Sequence, residues 1–250
     1  MTPPRGPRPP SAALPLVLLL PPLLLAAVGG AEAGALAVSP TRLDLAPDQR
    51  AGVVTLQNNA AEPVLVQVQV FAWPDRAETA ELVPTRELVA VPAVTELPPG
   101  KKQLIRVAAR GAGRADVETA YRLVITEVPP DPAEGRAGVR FALRFSLPVF
   151  LTPPGVRPKA EWWLDDAEPQ RRLVLHNRGS AHLQVRGLRL FAGGRAEPAQ
   201  VIEQPAHLSY VLPGGSQTWD LVPGAAGGAL TIKADTDIGE LEATVAPAGS

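Results

Sequence analysis

The sequence predicts an all-β protein made of two immunoglobulin-like β-sandwich domains joined at an angle by a proline-rich elbow. Short stretches of alternating apolar and polar residues recur along the chain, and helical periodicity is almost absent. Pro, Gly and Asn separate these stretches, as is typical of an antiparallel sandwich. The pattern breaks at Thr152–Pro158, where TPPGVRP contains three prolines and a glycine. The predicted boundaries are therefore 34–151 for the first domain, 152–158 for the linker and 159–250 for the second domain.

The first domain is predicted to contain seven strands, the number found in an immunoglobulin-like sandwich. Strict alternation in VLVQVQVF places its apolar and polar side chains on opposite faces of a strand. The last strand contains FALRFSLPVF. The seven predicted strands are Leu36–Leu45, Gly52–Gln57, Val64–Phe71, Leu88–Val94, Lys102–Ala108, Tyr121–Val128 and Phe141–Phe150.

The second domain is again rich in short predicted strands. Its middle part, up to Ile202, has little pattern. The predicted strands are Ala160–Leu164, Arg171–Asn177, Leu183–Phe191, Leu208–Leu212, Ser216–Val222, Leu230–Ala234 and Leu241–Val245.

The N-terminus has the three parts of a secretory signal peptide, predicted over residues 1–33. It starts with basic residues, continues with the apolar stretch Ala12–Val28, and reaches a small-residue cleavage site, AEA, that ends at Ala33. A membrane anchor is the alternative, but the prolines in and beside the apolar stretch disfavour a spanning helix. Cleavage after Ala33, or instead after Ala35 or Ala37, predicts an exported mature protein.

The composition narrows the choice of compartment and partner. The chain has no cysteine, 24 Lys+Arg and 25 Asp+Glu. An exported protein without disulfides depends on core packing, which suits the bacterial periplasm. Because the charges nearly balance, neither nucleic acid nor an anionic membrane surface is predicted as a partner. We expect no membrane insertion of the mature protein.

No catalytic or metal-binding motif stands out, so neither enzyme activity nor a cofactor is predicted. The histidines His176, His182 and His207 form no HExxH motif and no closely spaced His/carboxylate pair. Asp165 and Asp166 are neighbours on a predicted strand, so they point to opposite faces and do not form an acid/base pair. An exported β-rich hydrolase is a competing hypothesis, and it would need convergent polar residues.

The last strand of the first domain raises the question of what it packs against. Val139, Phe141, Leu143 and Phe145 alternate with smaller or polar residues, and Leu147 extends the pattern. The residues by themselves allow two interpretations. Either they fill the domain's own core, or they pack against another protein.

Several segments of both domains follow one another in a distinctive order. In the first domain these are VSPTRLDL, QNNAAEPVLVQVQV, LPPGKKQLIRV, YRLVITEVPP and the strand that ends in PVFLTPP. In the second they are EWWLDD, LVLHNRGSAHLQVRGLRL and LSYVLPGGSQTW. In this order and spacing the chain resembles the PapD-like periplasmic chaperones of the chaperone–usher pathway, over about Leu36–Val245. The SLPVF ending is more similar to the divergent archaic branch.

The resemblance implies a chaperone that folds and caps pilus subunits in the periplasm and delivers them to an outer-membrane usher. Such a subunit is an immunoglobulin-like domain that lacks its last strand. The chaperone lends its own strand, G1, in a form of β-augmentation called donor-strand complementation. By this resemblance Val139, Phe141, Leu143, Phe145 and Leu147 belong to the donor strand. Whether the free protein caps this strand as a dimer is left open.

The resemblance also implies an anchor for the C-terminal carboxylate of the subunit. The family uses an arginine of the first strand and a lysine of G1. Arg42 in SPTRLDL matches the arginine, and a guanidinium offers a two-pronged fork to a carboxylate; an ordinary surface ion pair is the alternative. Pro148 stands where the lysine belongs. We therefore expect Arg122 or Arg144 as the second cation, unless Arg42 acts alone.

A structural pilus or adhesin-type surface component is the main alternative function. Such a protein should lack a G1-type strand in at least one domain, and it usually carries a disulfide. The present chain has a plausible seventh strand in its first domain and no cysteine. The sequence therefore favours the chaperone.

Overall fold

The described part of the chain is built from β-strands and contains no helix, which confirms the all-β fold class. None of its elements is a helix long and apolar enough to cross a membrane. The predicted signal peptide, residues 1–33, lies outside the described residues. The structure, a computed structural model, describes residues 36–74, 82–111, 113–129, 142–166, 171–203, 210–222 and 228–246.

The first ten strands form two facing sheets. One sheet has the order β1-β3-β8-β6, and the other has the order β2-β10-β9-β4-β5, with β7 also paired to β4. Inward-facing apolar residues such as Val66, Ile105 and Leu123 form a common core between the sheets. The strands are β1 (Leu36–Ser39), β2 (Leu43–Leu45), β3 (Ala51–Asn58), β4 (Val64–Ala72), β5 (Val83–Pro84), β6 (Leu88–Val91), β7 (Val94–Leu97), β8 (Lys102–Ala109), β9 (Thr119–Val128) and β10 (Arg144–Leu151).

Two predicted strands of this sandwich are each divided between the two sheets. The stretch Leu36–Leu45 forms β1, which pairs with β3, and β2, which pairs with β10 in the other sheet. Likewise β6 pairs with β8, whereas β7 pairs with β4. Pro40 and Pro92 lie at the two breaks. Since proline has no N–H to give to a ladder, it interrupts pairing there. The prediction of two continuous strands was therefore wrong, and β5 was not predicted.

A second sandwich follows Thr152–Pro158, the segment between β10 and β11. One sheet has the order β11-β12-β16, and the other has the order β14-β13-β17-β18, with β15 paired to β13. Its buried residues, among them Leu175, Leu190 and Ile232, form a core separate from the first. The strands are β11 (Ala160–Asp165), β12 (Arg172–Asn177), β13 (Leu183–Ala192), β14 (Gln200–Glu203), β15 (Tyr210–Val211), β16 (Ser216–Asp220), β17 (Leu230–Thr236) and β18 (Gly239–Val245).

Each sandwich contains a buried asparagine at the end of a strand. Asn58, at the end of β3, donates from Nδ2 to the carbonyl oxygens of Glu62 and Leu97, both at 2.8 Å. Its Oδ1 accepts from the main-chain N–H of Ala60 at 2.8 Å. One side chain thereby satisfies three main-chain groups at a turn.

Asn177, at the end of β12, repeats this arrangement in the second sandwich. Its Nδ2 donates to the carbonyl oxygens of Ala181 and Val211 at 2.7 and 2.9 Å. Its Oδ1 accepts from the N–H groups of Gly179 and Lys159 at 2.9 and 3.1 Å. Because Lys159 directly precedes β11, this asparagine also fixes where the second sandwich begins.

We expect Asn58→Ala to lower the free energy of unfolding by at least about 2 kcal/mol, because it leaves buried carbonyl groups without a donor. Urea unfolding of the mature protein measures this loss. The matched control is Asn59→Ala, since Asn59 is the exposed neighbour. Equal stability of the two variants would contradict the role assigned to Asn58.

Candidate functional site

Strand β10 has partners on both sides over only part of its length. On one side β9 pairs with all of Arg144–Leu151. On the other side β2 pairs in parallel with Val149–Leu151 alone. Within the described ranges, no strand pairs with Arg144–Pro148 on that side. The first half of β10 is therefore an open sheet edge.

The main-chain bonds at the two ends of β10 show which groups face this edge. Glu127 donates its N–H to the carbonyl oxygen of Leu143 at 2.9 Å, so odd-numbered residues face β9. Thr152 donates its N–H to a carbonyl oxygen of β2, at 2.9 Å, so even-numbered residues face the other side. Arg144 and Ser146 thus present N–H and C=O groups to the open edge, and Pro148 lacks an N–H there.

The side chains of the predicted donor-strand residues differ in how deeply they are buried. Leu147 is 4% exposed and belongs to the core of the first sandwich. Leu143 and Phe145 are half-buried at the margin of that core. Val139 and Phe141 lie outside the described residues. The described apolar side chains beside the open edge are therefore in contact with the protein's own core without being enclosed by it.

The opposite face of β10 carries an aromatic cluster, to which both sandwiches contribute. Phe150 is fully buried and packs with Ala120 and Leu212. The ring of Trp73 lies 6.1 Å from that of Phe150 and 5.9 Å, edge-on, from that of Tyr210, measured between centroids. Apolar contact between the two sandwiches is thus concentrated around Phe150.

Arg122 lies on this face, directly opposite Pro148 in the β9–β10 pair. Its guanidinium carbon is 3.5 Å from the centroid of the Trp73 ring, a cation–π contact. The side chain is 8% exposed, and no carboxylate pairs with it in the described part of the chain. Burial lowers the pKa of Arg122 to about 10, so the group is still a cation at neutral pH.

Arg42 approaches the same cluster from the segment between β1 and β2. Its Nε is 2.8 Å from Oδ2 of Asp44, and its Nη1 is 3.7 Å from Oδ2 of Asp237. Its guanidinium carbon lies 6.0 Å from the centroid of the Phe150 ring. Burial alone would lower the pKa of Arg42, but Asp44 and Tyr210 raise it. The side chain is 33% exposed, so it is accessible from solvent.

The three arginines named from the sequence are thus not equivalent. Arg42 and Arg122 both border the aromatic cluster and both interact electrostatically with Tyr210. Arg144 is exposed at the start of β10, about 13 Å along the strand from Pro148 at 3.3 Å per residue. The structure brings the first two together and leaves Arg144 apart.

A buried charged group that the sequence did not predict joins the two sandwiches. His182, just before β13, has its Nδ1 2.8 Å from Oε1 of Glu118, which precedes β9. The main-chain N–H of His182 also donates to Oε1 of Glu118, at 3.0 Å. Thr152 donates its hydroxyl to the other oxygen, Oε2, at 2.8 Å. On the far side of the ring, Nε2 is 3.4 Å from Oδ2 of Asp237, in the turn between β17 and β18.

These surroundings set the charge of His182. The ring is 8% exposed and stacks on Phe150, with centroids 3.8 Å apart. Burial alone would lower the pKa of His182, but the carboxylates of Asp237 and Glu118 outweigh it and raise the pKa to about 9. For Asp237, burial alone would raise the pKa, but His182 and Arg42 are among the contacts that lower it. The group is an imidazolium between two carboxylates.

The fold agrees with the comparison to protein families. Residues 35–157 match the model of the pili and flagellar-assembly chaperone, PapD N-terminal domain. The first sandwich is thus similar to the N-terminal domain of these pilus-assembly chaperones. The role of this family is that of a chaperone, which is non-enzymatic.

Individual relatives of this chaperone are fimbrial chaperones. The probable fimbrial chaperone YadV of Escherichia coli strain K12 is 27% identical over 177 residues, which cover 66% of this chain and 71% of YadV. This relative supports a chaperone over a structural surface component.

Solved structures share the fold over most of the chain. One is a chain of the CsuC-CsuE chaperone-tip adhesion subunit pre-assembly complex, from archaic chaperone-usher Csu pili of Acinetobacter baumannii. It has a TM-score of 0.64 and 19% identity, covering 85% of this chain and 98% of its own. Another is from the complex of the Salmonella enterica SafA pilin with the SafB chaperone, with a TM-score of 0.58, 18% identity, and coverage of 86% and 98%. The predicted fold of two immunoglobulin-like sandwiches is confirmed.

The histidine bridge makes the stability of the chaperone depend on pH. The pKa of His182 is about 9 in the folded protein and 6.5 at its ordinary value. The bridge therefore stabilises fully below pH 6.5, and its contribution is lost as pH rises to 9. We expect the free energy of unfolding to fall over this window by on the order of 3 kcal/mol.

Urea unfolding at pH 6, 7.5 and 9 measures this loss. His182→Gln should remove it, and His176→Gln, which changes a half-buried histidine hydrogen-bonded to Ser216, should leave it unchanged. A pH dependence that is the same in wild type and His182→Gln would contradict the assignment.

Proposed function

We propose that the protein is a periplasmic chaperone that binds pilus subunits at the open edge of β10 and delivers them to an outer-membrane usher. The family supports the chaperone role, and the signal-peptide-like N-terminus supports export. The observation that carries the proposal is that β2 covers only Val149–Leu151, so that none of the described strands pairs with Arg144–Pro148 on that side. The relatives solved with a tip adhesin subunit or a pilin support the class of partner.

The open edge suits the addition of a strand from another protein. An unpaired edge binds an extended segment by main-chain hydrogen bonds, and alternate side chains supply specificity. Arg144 and Ser146 offer N–H donors and C=O acceptors at this edge, and Nη1 of Arg122 already donates to the carbonyl oxygen of Ser146 at 3.5 Å. The absence of an N–H at Pro148 limits the length of the new ladder, because the next residues already pair with β2.

The apolar side chains beside the edge complete the argument. Leu143 and Phe145 are half-buried, so a bound subunit can cover the remainder of each side chain. Full burial of such a side chain is worth roughly 1.5–3 kcal/mol, and the part already buried here reduces that gain. Leu147 is already enclosed in the chaperone's core and contributes to the position of the strand. The donor strand proper is therefore proposed to run N-terminally from Phe145, toward Phe141 and Val139.

We further propose that Arg42 and Arg122 together bind the C-terminal carboxylate of the subunit. Arg122 lies opposite Pro148, the position at which the family has its lysine. The positive charge is therefore supplied by β9, the strand next to β10. A buried guanidinium without a carboxylate partner is costly, and an incoming carboxylate would compensate its charge. Arg42 supplies a second, more accessible fork beside the same aromatic cluster.

We expect Leu143→Asp to reduce recovery of a chaperone–subunit complex at least tenfold, because a carboxylate would be buried against the subunit. Co-expression with a pilin-like subunit encoded beside the gene, followed by affinity purification, measures the recovery. The matched control is Ala142→Asp, which adds the same charge at the exposed neighbouring residue. Equal recovery with both variants would rule out the donor-strand proposal.

We expect Arg122→Gln and Arg42→Ala each to weaken subunit binding by about tenfold or more, since a charge-assisted hydrogen bond is worth about 1.5–3 kcal/mol. Both variants should still unfold cooperatively. Arg144→Gln is the control and should bind as wild type does. Normal binding by Arg122→Gln or by Arg42→Ala would overturn the anchor assignment for that arginine.

A further inference from the structure

The bridge of Glu118, His182 and Asp237 is the buried charged cluster that contacts both sandwiches and one of the proposed anchor residues. Glu118 belongs to the first sandwich, and His182 and Asp237 belong to the second. Asp237 Oδ2 lies 3.4 Å from Nε2 of His182 and 3.7 Å from Nη1 of Arg42. The carboxylate of Asp237 is thereby shared between the bridge and Arg42, a partly exposed cation.

The carboxylates around the imidazole favour a positive charge. Nδ1 is hydrogen-bonded to Oε1 of Glu118 at 2.8 Å, and Nε2, which makes no hydrogen bond within the described ranges, lies 3.4 Å from Oδ2 of Asp237. A neutral imidazole has an N–H at only one nitrogen, so the lone pair of the other would point at a carboxylate oxygen. Only the doubly protonated ring has a donor for both. The other charged or titratable groups near the ring are Arg42, behind Asp237, and Tyr210, whose ring centroid is 5.5 Å away.

The charge on the ring also decides how strongly Asp237 holds Arg42. When His182 is protonated, Asp237 has two cationic neighbours, His182 and Arg42. The buried His182 then compensates most of the negative charge of Asp237. With a neutral ring, Arg42 would be the remaining cation facing Asp237. The guanidinium would then be drawn toward Asp237, and a carboxylate ligand would compete with it for the same fork.

We propose that His182 is a positioning residue, protonated at neutral pH, which joins the two sandwiches through Glu118 and Asp237 and keeps Arg42 available to an anionic ligand. The part of the proposal in which His182 joins the sandwiches rests only on its contacts with Glu118 and Asp237. The effect on Arg42 rests on the anchor proposed above.

The charge of the ring is tested on the wild-type mature protein. Nitrogen-15 NMR of the imidazole should show both nitrogens of His182 protonated at pH 7.5. A neutral His182 ring at pH 7.5 would overturn the proposal. This measurement needs no variant and no subunit.

The joining of the sandwiches is tested by residual dipolar couplings, which report the relative orientation of two parts of a molecule. Gln at this position has one donor group and one acceptor, so it cannot donate to both carboxylates. His182→Gln should therefore change the alignment of residues 160–245 relative to residues 36–151, and His176→Gln should not. Identical alignment in His182→Gln and wild type would overturn this part.

The effect on Arg42 is tested by subunit binding in a set of variants. His182→Gln should weaken binding of the co-expressed pilin-like subunit at least fivefold, and His182→Gln combined with Asp237→Asn should restore most of it, because the competing carboxylate is removed. A purely structural bridge predicts the opposite, a further loss in the double variant, and that result would overturn the coupling. If Arg42→Ala binds normally, the anchor fails, while the NMR results still decide the bridge.

Discussion

The open edge of β10 is the constraint on which the other features of the chaperone depend. A sandwich normally pairs or covers its edges, because unpaired N–H and C=O groups attract other strands. Here the N-terminal segment is divided at Pro40, so only the short β2 reaches the second sheet, and it pairs with the last three residues of β10. The remaining half of β10 is left incomplete within the described structure, beside the half-buried Leu143 and Phe145. Leu147, Val149 and Leu151 hold the other half of the same strand in the core.

The second organising feature is the charged contact between the sandwiches. Aromatic rings around Phe150 exclude water, and within that setting the bridge of Glu118, His182 and Asp237 carries two negative charges and one positive charge. Arg42 adds a second positive charge at the solvent side. Hydrophobic groups of the same volume often stabilise a protein as well as a buried ion pair does. The main effect of a buried ion pair is therefore on the orientation of the parts that it joins. Because this electrostatic contact fixes the orientation of the two sandwiches, it can affect the binding of a ligand beside it.

Much of the fold could be predicted from local pattern. Strict alternation in Val64–Phe71 and Tyr121–Val128 places these strands correctly, because the period of two is a property of the strand itself. The two strands divided at Pro40 and Pro92 were predicted as continuous, since alternation does not say which sheet a residue joins. Pro40 and Pro92 are themselves the sequence signal for these breaks, because proline interrupts strand pairing. β14 lies in the stretch with little pattern, and its pairing with β13 is decided by the chain that surrounds it.

Three features of the site could be identified from the sequence alone. They are the alternating apolar strand, the arginine of SPTRLDL, and the proline at position 148 where the family has a lysine. The sequence named Arg122 and Arg144 equally, and only the pairing of Arg122 with Pro148, together with the stacking of its guanidinium on Trp73, separated them. The histidine bridge was invisible in the sequence. Glu118, His182 and Asp237 lie more than fifty residues apart along the chain, and no local pattern links them. The strands follow from nearest-neighbour geometry, whereas charge pairing across the cleft exists only after both sandwiches have folded and come into contact.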